Sequence, residues 1–278
     1  MLIRLRNQLY EYDTPLIMGI LNHTEDSFFD GGKYLEKSAI IKRVQTFLDE
    51  GADIIDIGMM STRPGSIAIS ENLELERLAF VLDILTSHFE NLTLSIDSYR
   101  AQVVDYALSH GVSIVNDISG GAFDSELWNV VAQHHASYIL MHTSSLPRDM
   151  QKKTDYKNVI SEILRYFSQK IALLQAHGIY DIILDPGFGF GKTLEQNYLI
   201  LNQLDSFKIF DLPILVGISR KSMIYKRLET SSEEALNGTT VLHTLAFQKG
   251  AHVFRVHDVK AVREVRSLLT GKIENQRS

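Results

Sequence analysis

Eight short apolar runs recur along the chain, and each carries at or near its end a side chain that can bind or react. They cover residues 16–22, 53–58, 92–97, 113–117, 137–142, 181–185, 213–219 and 251–257. Amphipathic stretches follow them in turn near 36–50, 71–90, 100–110, 125–134, 157–177, 195–204, 233–249 and 259–269. Strands that alternate with helices form a parallel sheet. Eight such units in about 260 residues match a closed α/β barrel, the (β/α)8 or TIM type. A doubly wound open sheet is the alternative. Residues 1–14 predict a short N-terminal hairpin around Arg6-Asn7-Gln8, and 272–278 form a polar tail. No linker or composition break divides the chain, so residues 1–278 read as one domain.

The polar run ends are Asn22, Asp56, Asp97, Asn116-Asp117, Met141-His142, Asp185, Ser219-Arg220-Lys221, Arg255 and His257-Asp258. In a barrel, strand ends crowd into one mouth, where barrel enzymes keep their chemistry. Any single one could cap a helix, which is the reading for Asp117 and Asp258. Asp56 stands inside its strand and reads as a buried, hydrogen-bonded structural carboxylate. Taken together, the mixture of amide, carboxylate, imidazole and cationic groups points to a small polar ligand.

The densest signal is LDPGFGFGKT, residues 184–193. A Walker A loop is ruled out because Pro186 stands where its first glycine belongs, and a dinucleotide fingerprint fails at Lys192. Gly187, Gly189 and Gly191 permit positive φ and close backbone approach, while Phe188 and Phe190 can wall a flat ligand.

Composition narrows the setting. Apolar residues make up 45% and charged residues 22%, enough to bury a full core. A net charge of −6 argues against a nucleic-acid partner, whose binding surfaces are basic. The chain has no cysteine, which excludes disulfides and thiolate metal sites and fits a reducing compartment. With no signal-like start and no apolar run of about 18 residues, neither secretion nor a membrane is expected, and the cytoplasm is.

The segments MGILNHTEDSFFDGG (18–32), GADIIDIGMMSTRPG (51–65), SIDSY (95–99), IVNDISGG (114–121), LMH (140–142), LDPGFGFGKT, LVGISRKS (215–222) and GAHVFRVHDV (250–259) resemble the successive blocks of the dihydropteroate synthase family. The resemblance implies condensation of 6-hydroxymethyl-7,8-dihydropterin diphosphate with 4-aminobenzoate. It implies that Asp97, Asn116, Asp185 and Lys221 hold the pterin, beside Gly217. Met141 and Phe188 would lie near the ring plane, with plain core packing as the alternative. Thr62, Arg63, Ser219, Ser222, Arg255 and His257 would serve the diphosphate and aminobenzoate, and Asn22 would contact Mg2+.

Asp26, Arg63, Lys221, Arg255 and His257 are the implied catalytic residues, with loops around Asp26-Ser27-Phe28 and Ser61–Gly65 closing over the substrates. A homodimer is likewise implied. His23 and Glu25 around Thr24, and Met59-Met60, depart from the family pattern and bear on loop closure and sulfonamide response. Two alternatives remain: a pterin-binding methyltransferase module of the wider group, and a catalytically silent pterin-binding partner.

Overall fold

The computed structural model describes residues 2–5, 8–11, 13–23, 32–60, 69–143 and 154–271. Strands β1 (Leu2–Leu5) and β2 (Gln8–Glu11) pair antiparallel, Leu2 opposite Glu11 and Leu5 opposite Gln8. This is the expected hairpin. Eight further strands follow: β3 (Leu16–Asn22), β4 (Ile54–Gly58), β5 (Leu94–Asp97), β6 (Ile114–Asp117), β7 (Ser137–Met141), β8 (Ile182–Asp185), β9 (Leu215–Val216) and β10 (Val253–Val256). They form one parallel sheet in the order β8-β7-β6-β5-β4-β3-β10-β9. A bridge between Leu184 and Ile214 joins its two edges into a barrel of the TIM type.

Helices stand between the strands: α1 (Gly32–Asp49), α2 (Glu71–His88), α3 (Ala101–Ser109), α4 (Leu127–Gln133), α5 (Val159–Ala176), α6 (Leu194–Asn202), α7 (Ser222–Tyr225), α8 (Leu236–Gln248) and α9 (Val259–Thr270). The start of α6 shows why the Gly-Lys-Thr string is no phosphate loop. Thr193 caps the helix by accepting from Gln196 N–H, and the Gln196 side chain returns to the Thr193 N–H. This reciprocal capping satisfies two helix-end donors.

Two apolar clusters hold the fold. The larger lies between strands and helices and includes Phe47, Phe167, Phe207 and Phe254, all essentially without exposed surface. The smaller fills the barrel interior with Leu16, Met18, Ile54, Ile114, Ile139, Ile183, Leu215 and Val253. Ile3 of the hairpin joins this inner cluster, so β1 and β2 cover the end of the barrel opposite the strand C-termini. Each fully buried side chain of this size contributes roughly 1.5–3 kcal/mol.

One strand is much shorter than expected. Pro213 has no N–H to pair, and its carbonyl instead accepts from Leu184 N–H at 2.8 Å. The Ile214 carbonyl takes both His252 N–H (2.8 Å) and Val253 N–H (3.1 Å), leaving only two residues in regular pairing.

Candidate active site

Side chains alternate along a strand, so residues two apart share a face. On the inner face of the barrel this carries β4, β6, β8 and β10 from apolar to polar in a single step, while β5 already has the buried Ser95 in the lower layer. Ile54 is followed inward by Asp56, Ser95 by Asp97, Ile114 by Asn116, Ile183 by Asp185 and Val253 by Arg255. Ile139 is followed by Met141, and Leu215 by Gly217. The apolar layer seals the barrel floor. The polar layer lies above it at the strand C-termini.

Arg255 ties this layer together. Its Nε donates to Asp56 Oδ2 at 2.6 Å and its Nη2 to Asp97 Oδ2 at 2.7 Å. The same Asp56 oxygen accepts from Asn116 Nδ2 at 3.1 Å. Asp56 is buried and hydrogen-bonded, as the sequence indicates. What sequence reasoning missed is that one oxygen of this carboxylate holds two of the expected ligand-contacting residues. Burial pushes the Asp97 carboxyl up to about 7, against the pull of Arg255. Burial lowers the Arg255 guanidinium, but Asp56 and Asp97 outweigh it and hold it above its ordinary value.

Lys221 meets the glycine stretch. Its Nζ donates to the Phe188 carbonyl at 2.5 Å and lies 4.7 Å from the centre of the Phe190 ring. Burial lowers its ammonium to about 8, although nearby Asp185 opposes the shift. Asp185 itself accepts from Gly187 N–H at 2.7 Å, and burial raises its carboxyl against the charge of Lys221. A Cβ on Gly217 would lie 3.9 Å from Lys221 Nζ and 4.0 Å from Arg255 Cβ, so this glycine leaves room between the two cations.

The two phenylalanines part company. Phe188 has no exposed surface and its ring sits in the main apolar cluster, so packing is its role and its carbonyl is what reaches the site. Phe190 turns its ring to Lys221 at the partly exposed rim. Gly189 between them has φ +83, which breaks the alternation an extended chain would keep. Met141 is buried at the end of β7, opposite Asp185 in register.

Ser219 and His257 are joined across strand ends. Ser219 Oγ lies 3.1 Å from His257 Nδ1 and accepts from His257 N–H at 3.2 Å. Burial, reinforced by Arg255, lowers His257 to about 4. The imidazole is neutral near pH 7, so the fixed positive charge expected of the pair rests on Arg255. Ser222 opens α7, which spans four residues, and the long helix dipole expected to greet a carboxylate is not formed there.

Asn22 ends β3 with its side chain over Gly58, where a Cβ would come within 2.7 Å of the Asn22 Oδ1 and 3.8 Å of Asp97 Cβ. Glycine there makes the space for the carboxamide. Among the described residues no group of three His, Cys, Asp or Glu is placed to hold a metal ion. A lone amide oxygen fits Mg2+, an ion that keeps several waters and takes phosphate oxygens as further ligands.

Two expected helix caps turn out otherwise. Asp117 accepts from Ser119 N–H, Gly121 N–H and Tyr138 Oη, fixing the turn after β6 ten residues before α4 begins at Leu127. Asp258 stands at the start of α9 without a capping bond, because Arg220 takes both its oxygens at 2.7 and 2.9 Å. Asp26, Thr62 and Arg63 lie outside the described residues.

A parallel barrel that gathers carboxylates, an amide and two cations at its strand C-termini belongs to the class of α/β-barrel enzymes, which keep their chemistry at that mouth. Residues 18–257 match the family described as pterin binding enzyme. A dihydropteroate synthase from Synechocystis sp. is 44% identical over 252 residues, covering 90% of this chain and 87% of its own length. The Yersinia pestis dihydropteroate synthase, solved with a sulfonamide drug complex, has a TM-score of 0.90 at 36% identity over 98% of both chains. The dihydropteroate synthase from Clostridium difficile, solved in the presence of pteroic acid, has a TM-score of 0.87 at 36% identity, covering 93% of this chain and 97% of that one. The chain belongs to the pterin-binding enzymes and, among them, to the dihydropteroate synthase family.

Proposed function

We propose that the protein condenses 6-hydroxymethyl-7,8-dihydropterin diphosphate with 4-aminobenzoate, giving 7,8-dihydropteroate and diphosphate. The observation that carries this reading is the gathering of Asp97, Asn116 and Asp185 in one inward layer with Lys221 beside it, in a member of this family. A pterin edge offers several N–H donors, which carboxylates and an amide oxygen accept. The Lys221 ammonium would donate to the ring carbonyl and N5.

The favoured route is dissociative. The methylene C–O bond breaks, its electron pair leaves with diphosphate, and the aryl amine nitrogen attacks the cationic methylene. An aryl amine is unprotonated at neutral pH, so attack needs no general base. The amine proton departs afterwards to solvent or diphosphate. Stabilising the leaving anion is then the main contribution, and Arg255 with its fixed guanidinium is the residue for it. Ser219, the neutral imidazole of His257, and Ser222 would add hydrogen bonds to diphosphate or to the aminobenzoate carboxylate. Mg2+, when bound at Asn22, would neutralise phosphate charge.

Asp26, Thr62 and Arg63 are proposed on family resemblance to close over the substrates, and sulfonamides are proposed to compete for the aminobenzoate position. A homodimer is proposed as well. Val241 and Leu245 on α8 and Leu268 on α9 are exposed on two helices that pack together. The cytoplasm is the proposed setting; among the described residues no helix is long and apolar enough to cross a membrane. Incubating the folded protein with both substrates and Mg2+ should release diphosphate and form dihydropteroate. A folded protein that releases none would overturn the reading.

A further inference from the structure

Lys192 follows the glycine stretch, and none of the roles above uses it. Only 4% of it is exposed. Its Nζ donates to the Gly187 carbonyl at 2.8 Å, the Phe190 carbonyl at 2.9 Å and the His142 carbonyl at 3.2 Å. An ammonium has three N–H groups, so these carbonyls use all of them. Among the described residues no carboxylate lies within ion-pair distance of it. Burying a cation without a bonded anion is unfavourable, and a methionine would fill the same space without that cost. Burial lowers this ammonium to about 7, with Asp185 opposing the shift.

The three carbonyls belong to two segments. His142 follows β7, while Gly187 and Phe190 bracket the turn that carries the Phe188 carbonyl to Lys221. The segments touch closely. A Cβ on Gly187, whose φ is +73, would come within 2.0 Å of the His142 carbonyl oxygen. From the other side, Asn197 accepts the Gly189 N–H at 2.7 Å. The Gly187 N–H in turn fixes one oxygen of Asp185.

We propose that Lys192 is a positioning residue for the pterin end of the site. Its ammonium clamps the glycine turn to the end of β7, so that the Asp185 carboxylate and the Phe188 carbonyl that steadies Lys221 are preset before the ring arrives. The proposal rests on the reading that Asp185 and Lys221 hold the pterin.

The test is Lys192→Met beside wild type, with unfolding curves and separate KM values for the two substrates. Outer-shell partners that orient metal ligands change affinity or activity by about 10–100-fold, and a clamp on ligand-holding groups is expected to act on the same scale. K192M is expected to raise KM for the pterin diphosphate about tenfold or more. The KM for aminobenzoate, measured at saturating pterin substrate, should stay within about twofold. Should K192M not fold, K192Q decides by the same split, since its amide keeps donors for two carbonyls. A folded variant with an unchanged pterin KM, or with both KM values raised equally, overturns the clamp. Wild-type protein that binds no pterin diphosphate would instead remove the reading beneath it.

Discussion

Arg255 Nε lies 2.6 Å from Oδ2 of Asp56, a carboxylate with no exposed surface, and the contact reaches from β10 to β4 across the intervening β3. Asn116 reaches the same oxygen from β6 across β5. Asp56 thus sets the position of two side chains that stand on either side of it in the mouth.

Asp56→Asn keeps the shape and removes the charge. Arg255 would retain Asp97 as its remaining anion, so the loss should fall near the lower end for breaking a buried ion pair, about 3 kcal/mol. Urea unfolding measures it, and kcat/KM should fall with it. Unchanged stability together with unchanged kcat/KM would show that Asp56 holds nothing that matters.

The pH dependence should carry Lys221. Its ammonium titrates near 8 in the free protein, so kcat/KM for the pterin substrate is expected to fall as pH rises through that value. Lys221→Arg keeps the charge and should move the fall to higher pH. Stability moves the other way. The folded value lies below the ordinary 10.5, so the unfolded chain binds more protons between about 8 and 10.5, and this group's contribution to stability rises with pH across that window. Lys192, lowered to about 7, contributes with the same sign from about 7 upward. The wild-type minus Lys221→Met difference in unfolding free energy isolates Lys221, and a flat difference would count against its burial as a cation.

Phe188 and Phe190 separate packing from binding. Phe188→Ala should cost about 3–5 kcal/mol by leaving a cavity in the main apolar cluster. Phe190→Ala removes a partly exposed ring stacked on the Lys221 ammonium, a contact of about 0.5–1 kcal/mol, and should chiefly raise KM for the pterin substrate that Lys221 is proposed to hold. Thermal melts and initial rates of both variants decide it; equal effects on stability would contradict the two placements.

Asn22→Ala should raise the Mg2+ concentration needed for half-maximal diphosphate release by about tenfold, the equivalent of roughly 1.4 kcal/mol. Chelation should suppress release in the wild type. A magnesium titration that coincides for the two proteins would remove Asn22 from the metal site.

Much of this arrangement is legible in the chain order. Apolar runs that end on Asn22, Asp97, Asn116, Asp185 and Arg255 announce both the strands and the rim, because a period of two puts the residue two places after an inward-facing one on the same face. Partnerships are harder to read. Asp258 looks like a helix cap until Arg220, 38 residues earlier, is found holding both its oxygens. Lys192, where the dinucleotide fingerprint fails, has no role legible in the string until three carbonyls from two segments close around it.

Local pattern by itself determined the alternation of strand and helix, the hairpin ahead of the barrel and the polar character of the strand ends, since each depends on near neighbours and backbone periodicity. Only the tertiary structure decided that Phe190 and not Phe188 faces the rim, that β9 shortens at Pro213, and that Asp56 anchors Arg255 and Asn116. Those outcomes depend on positive φ in a crowded turn, on a proline with no N–H to pair, and on charges brought within bonding distance from strands far apart in the chain.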